Sequence, residues 1–105
     1  MGLANARYQT GELKIMDTGD HIEFENERVR VIRVKVSGHE KRPAKNRLDR
    51  VLIWLTDSHS HRTADGKKEV SHRKKGDVAF RAASQHEVEN ASHEPTEMII
   101  VELKK

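Results

Sequence analysis

The chain of 105 residues predicts an all-β fold, a sandwich or barrel built from short strands. Two observations predict it. Apolar residues fall in short runs separated by turn signals at roughly even spacing, among them Thr18-Gly19-Asp20, Ser37-Gly38-His39, Asp57-Ser58 and Asp65-Gly66. No segment sustains a helical period, and there is neither an internal repeat nor a low-complexity tract. The length fits a single domain over 1–105, with 1–11 as an N-terminal arm whose Leu3 and Tyr8 could dock on another surface. Charged residues make up 35% and hydrophobic ones 34%, so the core must be economical.

Glu12 to Met16 and His21 to Phe24 are short strand candidates. Arg28 to Val36 is the first convincing strand. Val29 and Val31 share one parity and Ile32, Val34 and Val36 the other, a switch that suggests a bulge or a crossing between sheets. His39 to Asp49 is polar and basic with Pro43 inside it, and reads as a loop or an irregular edge. Val51 to Leu55 is the most apolar run, and both of its faces must be covered. If its odd members fill a barrel, Leu52 and Trp54 point outward, as a dimer contact or a floor for the arm. His59 to Thr63 and Lys67 to Arg73 form a hairpin about Asp65-Gly66, and Glu97 to Leu103 is a closing strand.

Gly76 to Asn90 organises the rest. Gly76-Asp77 opens a turn, Val78 and Phe80 alternate as in a strand, and Phe80 is expected in the core. Ala82, Ala83 and Ser84 make a small-residue corner. The next strand places His86, Val88 and Asn90 on one face, because strand side chains repeat with period two. This stretch resembles the second conserved motif of the cupins, in which Gly, a short strand, a Pro-x-Gly corner, His and then Asn follow in order. Gly76, His86 and Asn90 match it, whereas Ala82 and Ser84 replace the corner Pro and Gly. The resemblance extends from about Glu27 to Leu103 and implies a cupin-like double-stranded β-helix, or jelly-roll, barrel.

The first cupin motif, His-x-His and a later Glu, is not matched. Anchored on Pro43 and Asp49-Arg50-Val51, Lys45 and Arg47 take the histidine places and Val51 the acid's. Counted from Gly38, Ala44, Asn46 and Arg50 take them. Cations repel a divalent ion, and Val and Ala offer it no lone pair. The expectation is therefore no metal and no cofactor, with an anionic small molecule bound in the barrel. Arg47 and Lys45 would supply charge, Arg47 through a bidentate guanidinium, and His86 a hydrogen bond. Val51, Ile53 and Val88 would form the apolar wall. Against this, Lys41 to Arg50 also reads as a solvated basic loop, and His86 as a packed imidazole with one hydrogen bond.

A second reading is an enzyme. It is either a metal-free isomerase or epimerase with His86 as general base near Arg47, or a metal-dependent oxygenase on His59, His61 and His86. His59 and His61 also read as a solvated strand face beside Ser58, Ser60 and Arg62. A third is a plugged β scaffold that binds a protein partner. A homodimer is expected from Leu52 and Trp54 and from the modest core of a short chain, as small cupins commonly dimerise through such a sheet face.

Net charge of +3 without a dense basic stripe, and only four aromatics, argue against nucleic acid. No apolar run approaches the ~20 residues of a membrane span, and no signal-peptide core opens the chain. With no cysteine, the expected setting is the cytoplasm.

Overall fold

Alternating side chains sort the chain into two antiparallel sheets. The computed structural model describes residues 19–105. The readings of 1–11, of Leu3 and Tyr8, and of Glu12 to Met16 lie outside the described residues. The strands are β1 (Asp20–Glu25), β2 (Val29–Val36), β3 (Lys41–Arg47), β4 (Arg50–Trp54), β5 (Ser58–Ala64), β6 (Lys67–Arg73), β7 (Val78–Arg81), β8 (Ser84–Asn90) and β9 (Thr96–Leu103). One sheet has the order β1-β2-β9-β4-β7 and the other β3-β8-β5-β6. Sequence neighbours thus often lie in different sheets, and the interior is closed by strands far apart in the chain.

The core belongs mainly to the five-stranded sheet. Ile32, Val34 and Val36 of β2, Ile100 of β9 and Leu52 and Trp54 of β4 are its buried apolar residues. Register places them in rows. Ile32 pairs with Ile100, Ile100 with Leu52, and Leu52 with Ala79. Val34 pairs with Met98 and Met98 with Trp54. Side chains directly opposite on antiparallel strands share a face, so each row is one layer of the interior.

This register corrects the expected orientation of β4. Leu52 and Trp54 are 6% exposed and face the interior, while Val51 and Ile53 lie on the outer face. The outer row runs Phe24, Val31, Val101, Val51, Phe80 across all five strands. Period-two reasoning chooses a face only when one parity is polar, and here neither is. Leu52 and Trp54 are accordingly not a dimer contact or an outer floor. Phe80, expected in the core, is 61% exposed at the outer end of that row.

The same two-sided apolarity explains the parity switch in β2. Its pairing with β9 runs from Val29 to Val36 without a break, and the register shift lies instead between Ile22 and Phe24 in the β1–β2 pairing.

Turn chemistry follows the expectation closely. Asp65 and Gly66 have φ of 53° and 76°, the two left-handed residues that a two-residue hairpin needs between β5 and β6. The basic stretch read as a loop or irregular edge is the edge strand β3, with a register shift between Arg42 and Lys45 that brackets Pro43. Asn90 closes the opposite end. It is 2% exposed, and its Nδ2 donates to the carbonyls of Val36, Ser37 and Glu94 at 3.3, 3.1 and 2.8 Å. Its Oδ1 accepts from the Ser92 amide at 2.9 Å. Gly38 lies so close to the His93 carbonyl that a Cβ there would overlap it.

Candidate functional site

Between the sheets is a cavity of about 220 Å³. Its two ends differ in chemistry because the layers of the interior differ in sequence. Beside the apolar rows of the five-stranded sheet runs a charged one: Arg30 pairs with Glu102, Glu102 with Arg50, and Arg50 with Arg81. From the other sheet, β8 contributes His86, β5 contributes Arg62, and β3 contributes Arg47 and Lys45. Ser58, Ser60, Val88 and Asn90 continue that wall away from the charged end.

Arg50 is the centre of the charged end. It is 2% exposed, and its Nη1 donates to the carbonyls of Leu48 and Ala82 at 3.2 Å each. Its Nη2 donates to Ser84 Oγ at 3.3 Å. Burial, aided by the positive charges of Arg47, Arg62 and Arg81, lowers its pKa to about 10, so the guanidinium stays charged at neutral pH. Glu102, 3% exposed, is shared by Arg30 at 3.3 Å and Arg47 at 3.8 Å. Arg47 also approaches Asp20 at 3.6 Å. Burial acts to raise the Asp20 pKa, but Lys45, Arg42 and Arg47 outweigh it and hold the carboxyl below its usual range.

Arg62 donates to Glu69 at 2.6 Å. The Arg81 guanidinium makes no hydrogen bond or ion pair with a described residue, and burial, Arg62 and Arg73 lower its pKa against the opposing pull of Glu69. His86 receives the sum of these charges. Burial first, then Arg62, Arg50, Arg81 and Arg47, lower its pKa to about 4, so it is neutral at pH 7. Its Nδ1 lies 3.4 Å from Ser84 Oγ.

The structure brings together His86, Arg47, Lys45 and Val88 of the expected site residues, and all four line the cavity. Lys45 is the direct cross-strand partner of His86. Val51 and Ile53 do not line it; Leu52 and Trp54 form the apolar wall in their place. Arg62 and Arg81 also line the cavity, though sequence reasoning gave Arg62 to a solvated face and did not single out Arg81. A signal existed for Arg62, since Ser58, Ser60 and Arg62 share a parity opposite to His59 and His61. For Arg81 there was none without knowing which face of β7 is covered.

Solved structures with the same architecture share little sequence with this chain. A cupin domain from Bordetella pertussis Tohama I superposes with a TM-score of 0.78 at 19% identity, covering 82% of this chain and 92% of that one. The chain has the cupin fold. A cupin superfamily protein from Desulfitobacterium hafniense DCB-2 matches with TM-score 0.65 and 16% identity over 90% of this chain and 84% of its own. An uncharacterised conserved protein with a double-stranded β-helix domain from Klebsiella pneumoniae matches with TM-score 0.63 and 15% identity over 95% and 98%. No protein-family model and no curated protein sequence matches the chain.

The metal ion that many cupins hold does not fit the residues lining this cavity. One imidazole stands among guanidinium and ammonium groups, and a divalent cation needs several lone-pair donors in place of positive charge. His59 and His61 do not supply the missing ligands, because Ser58, Ser60 and Arg62 of the same strand line the cavity and the two histidines face away from it. On that outer face the rings of His59 and His72 stack with centroids 4.2 Å apart, and His61 stands edge-on to His59 at 5.6 Å. Among the described residues no group of three or more His, Asp or Glu side chains is arranged to hold a metal.

Proposed function

We propose that this cupin-fold protein is a binding module for a small anionic molecule, held in the barrel without a metal. The observation that carries the reading is the pair Arg50 and Arg81. They are neighbours on the inner face of β4 and β7, and neither has a carboxylate partner within ion-pair distance among the described residues. Two buried or half-buried positive charges without counter-charges are costly, and a ligand that supplies negative charge offsets that cost. Arg47, Arg62 and Lys45 border the same end, so the anion would meet donors from both sheets.

The binding reading is favoured over an isomerase or epimerase by the state of His86. A general base works best with a pKa near the working pH, and burial among arginines holds His86 near about 4. So weakly basic an imidazole suits hydrogen bonding better than proton abstraction. The apolar wall consists of Leu52, Trp54, Met98 and Val88.

Isothermal titration with a panel of small carboxylates and phosphate esters tests the proposal, read alongside Arg81→Met and Arg62→Met. At least one anion is expected to bind with sub-millimolar Kd and to lose about ten-fold or more in either variant, one charge-assisted contact being worth about 1.5–3 kcal/mol. Binding of none, or equal binding in the wild type and both variants, would overturn it.

A further inference from the structure

We infer that the anion is a phosphate monoester with a small apolar substituent. Its doubly charged head lies among Arg50, Arg62 and Arg81, and its body lies along Leu52, Trp54 and Met98. The inference rests on the anion-binding reading above and adds charge, hydrogen-bonding character and orientation to it.

Charge comes from counting counter-ions. Glu69 accompanies Arg62, and Glu102 is shared by Arg30 and Arg47. Arg50 and Arg81 bring two positive charges and make no ion pair among the described residues, with Glu102 across from Arg50 in register and Glu69 acting on Arg81 only at longer range. Two negative charges on the ligand balance them, which a phosphate monoester supplies above its second pKa of about 6 and a monocarboxylate does not.

Hydrogen-bonding character comes from a relay of side chains. Arg50 Nη2 donates to Ser84 Oγ at 3.3 Å, and a guanidinium can only donate. Ser84 retains its own proton and a second lone pair, and the proposed relay sends the proton to His86 Nδ1, 3.4 Å away. A neutral imidazole that accepts at Nδ1 carries its proton on Nε2. The relay therefore turns His86 into a donor, like the arginines around it. Glu102, the buried carboxylate of that end, is already engaged by Arg30 and Arg47. A ligand whose head only accepts, as a fully ionised phosphate does, matches that set; one that must donate competes with Arg30 and Arg47 for Glu102.

Orientation follows from the layers. Along β4 the interior residues run Arg50, Leu52, Trp54, so the apolar rows begin one layer beyond the charged one. The cavity of about 220 Å³ exceeds the roughly 150 Å³ that admits benzene in an apolar protein interior. One ring or a short alkyl chain fits.

Two measurements test this. In protein labelled with ¹⁵N-histidine, His86 is expected as the Nε2–H tautomer, and Ser84→Ala is expected to shift it toward a mixture. An Nδ1–H tautomer in the unaltered protein would overturn the relay. Titration at pH 8 then compares phenyl phosphate, benzoate and inorganic phosphate. Phenyl phosphate is expected to bind at least ten-fold more tightly than either, and Arg81→Met to remove most of that margin. Benzoate binding as well as phenyl phosphate would overturn the double charge while leaving the anion site standing. Inorganic phosphate binding as well would overturn the apolar subsite. Failure of all three, in a protein that binds another anion from the panel, overturns the ligand class. Failure of every anion overturns the underlying site.

Discussion

Arg50 and Trp54 lie at opposite ends of the same short strand, point into the same barrel, and are almost equally buried, at 2% and 6% exposure. What burial does at the two ends is opposite in sign. At the Trp54 end it removes apolar surface from water and stabilises the fold, and Arg73 adds a cation over the indole ring at 4.6 Å. At the Arg50 end it strips water from a charge, and the carbonyls of Leu48 and Ala82 and the hydroxyl of Ser84 compensate only in part. The barrel is thus held by one end of its interior, and the other is the end to which the proposed function assigns the anion.

The largest effect should come from the apolar end. Trp54→Ala is expected to cost about 3–5 kcal/mol in denaturant unfolding. A loss under about 1 kcal/mol would mean that this end does not hold the barrel. Next comes Glu102, the one buried carboxylate among the described residues. Glu102→Gln leaves Arg30, Arg47 and Arg50 side by side without it and should cost about 3 kcal/mol in the same measurement. A neutral outcome there would show the charged row to be well hydrated and would weaken the contrast between the ends.

His86 gives a smaller effect with a defined pH window. Its pKa falls from an ordinary 6.5 to about 4 on folding, so the unfolded chain takes up the proton first as pH drops. Its contribution is complete above pH 6.5 and is lost progressively toward pH 4. It amounts to roughly 2 kcal/mol after allowance for partial exposure to solvent. His86→Asn should flatten the pH dependence of unfolding across that window, and an unchanged slope would show that the imidazole is not buried among positive charges. Smallest in stability is Arg81→Met, expected within about 0.5 kcal/mol because the guanidinium has no hydrogen bond to a described residue to lose. The same variant should lose anion binding, which separates binding from folding at the charged end. A large stability loss would mean that Arg81 is structural.

Much of the site was readable before the fold. Spacing alone put His86, Val88 and Asn90 on one face, and all three line the cavity. Of the two registers weighed for the unmatched first motif, the one with Lys45 and Arg47 names residues that line the cavity, Arg47 half-buried and Lys45 exposed at its rim. Its next step, Val51 in the acid position, does not line it. The chain turns at Leu48 and Asp49 between β3 and β4, and Arg50 is the residue that faces inward.

The order of the residues by itself determined the β class, the turns and the near limits of most strands, because these depend on period-two alternation and turn chemistry within a few neighbouring residues. Only tertiary structure decided which side of Val51 to Leu55 is the interior, since both of its faces are apolar and just the covering sheet distinguishes them. It also decided the convergence of Arg62 and Arg81 on His86. Arg62 and His86 lie on neighbouring strands of one sheet and Arg81 on the other, and no local pattern records either the pairing or the closing of the two sheets on each other.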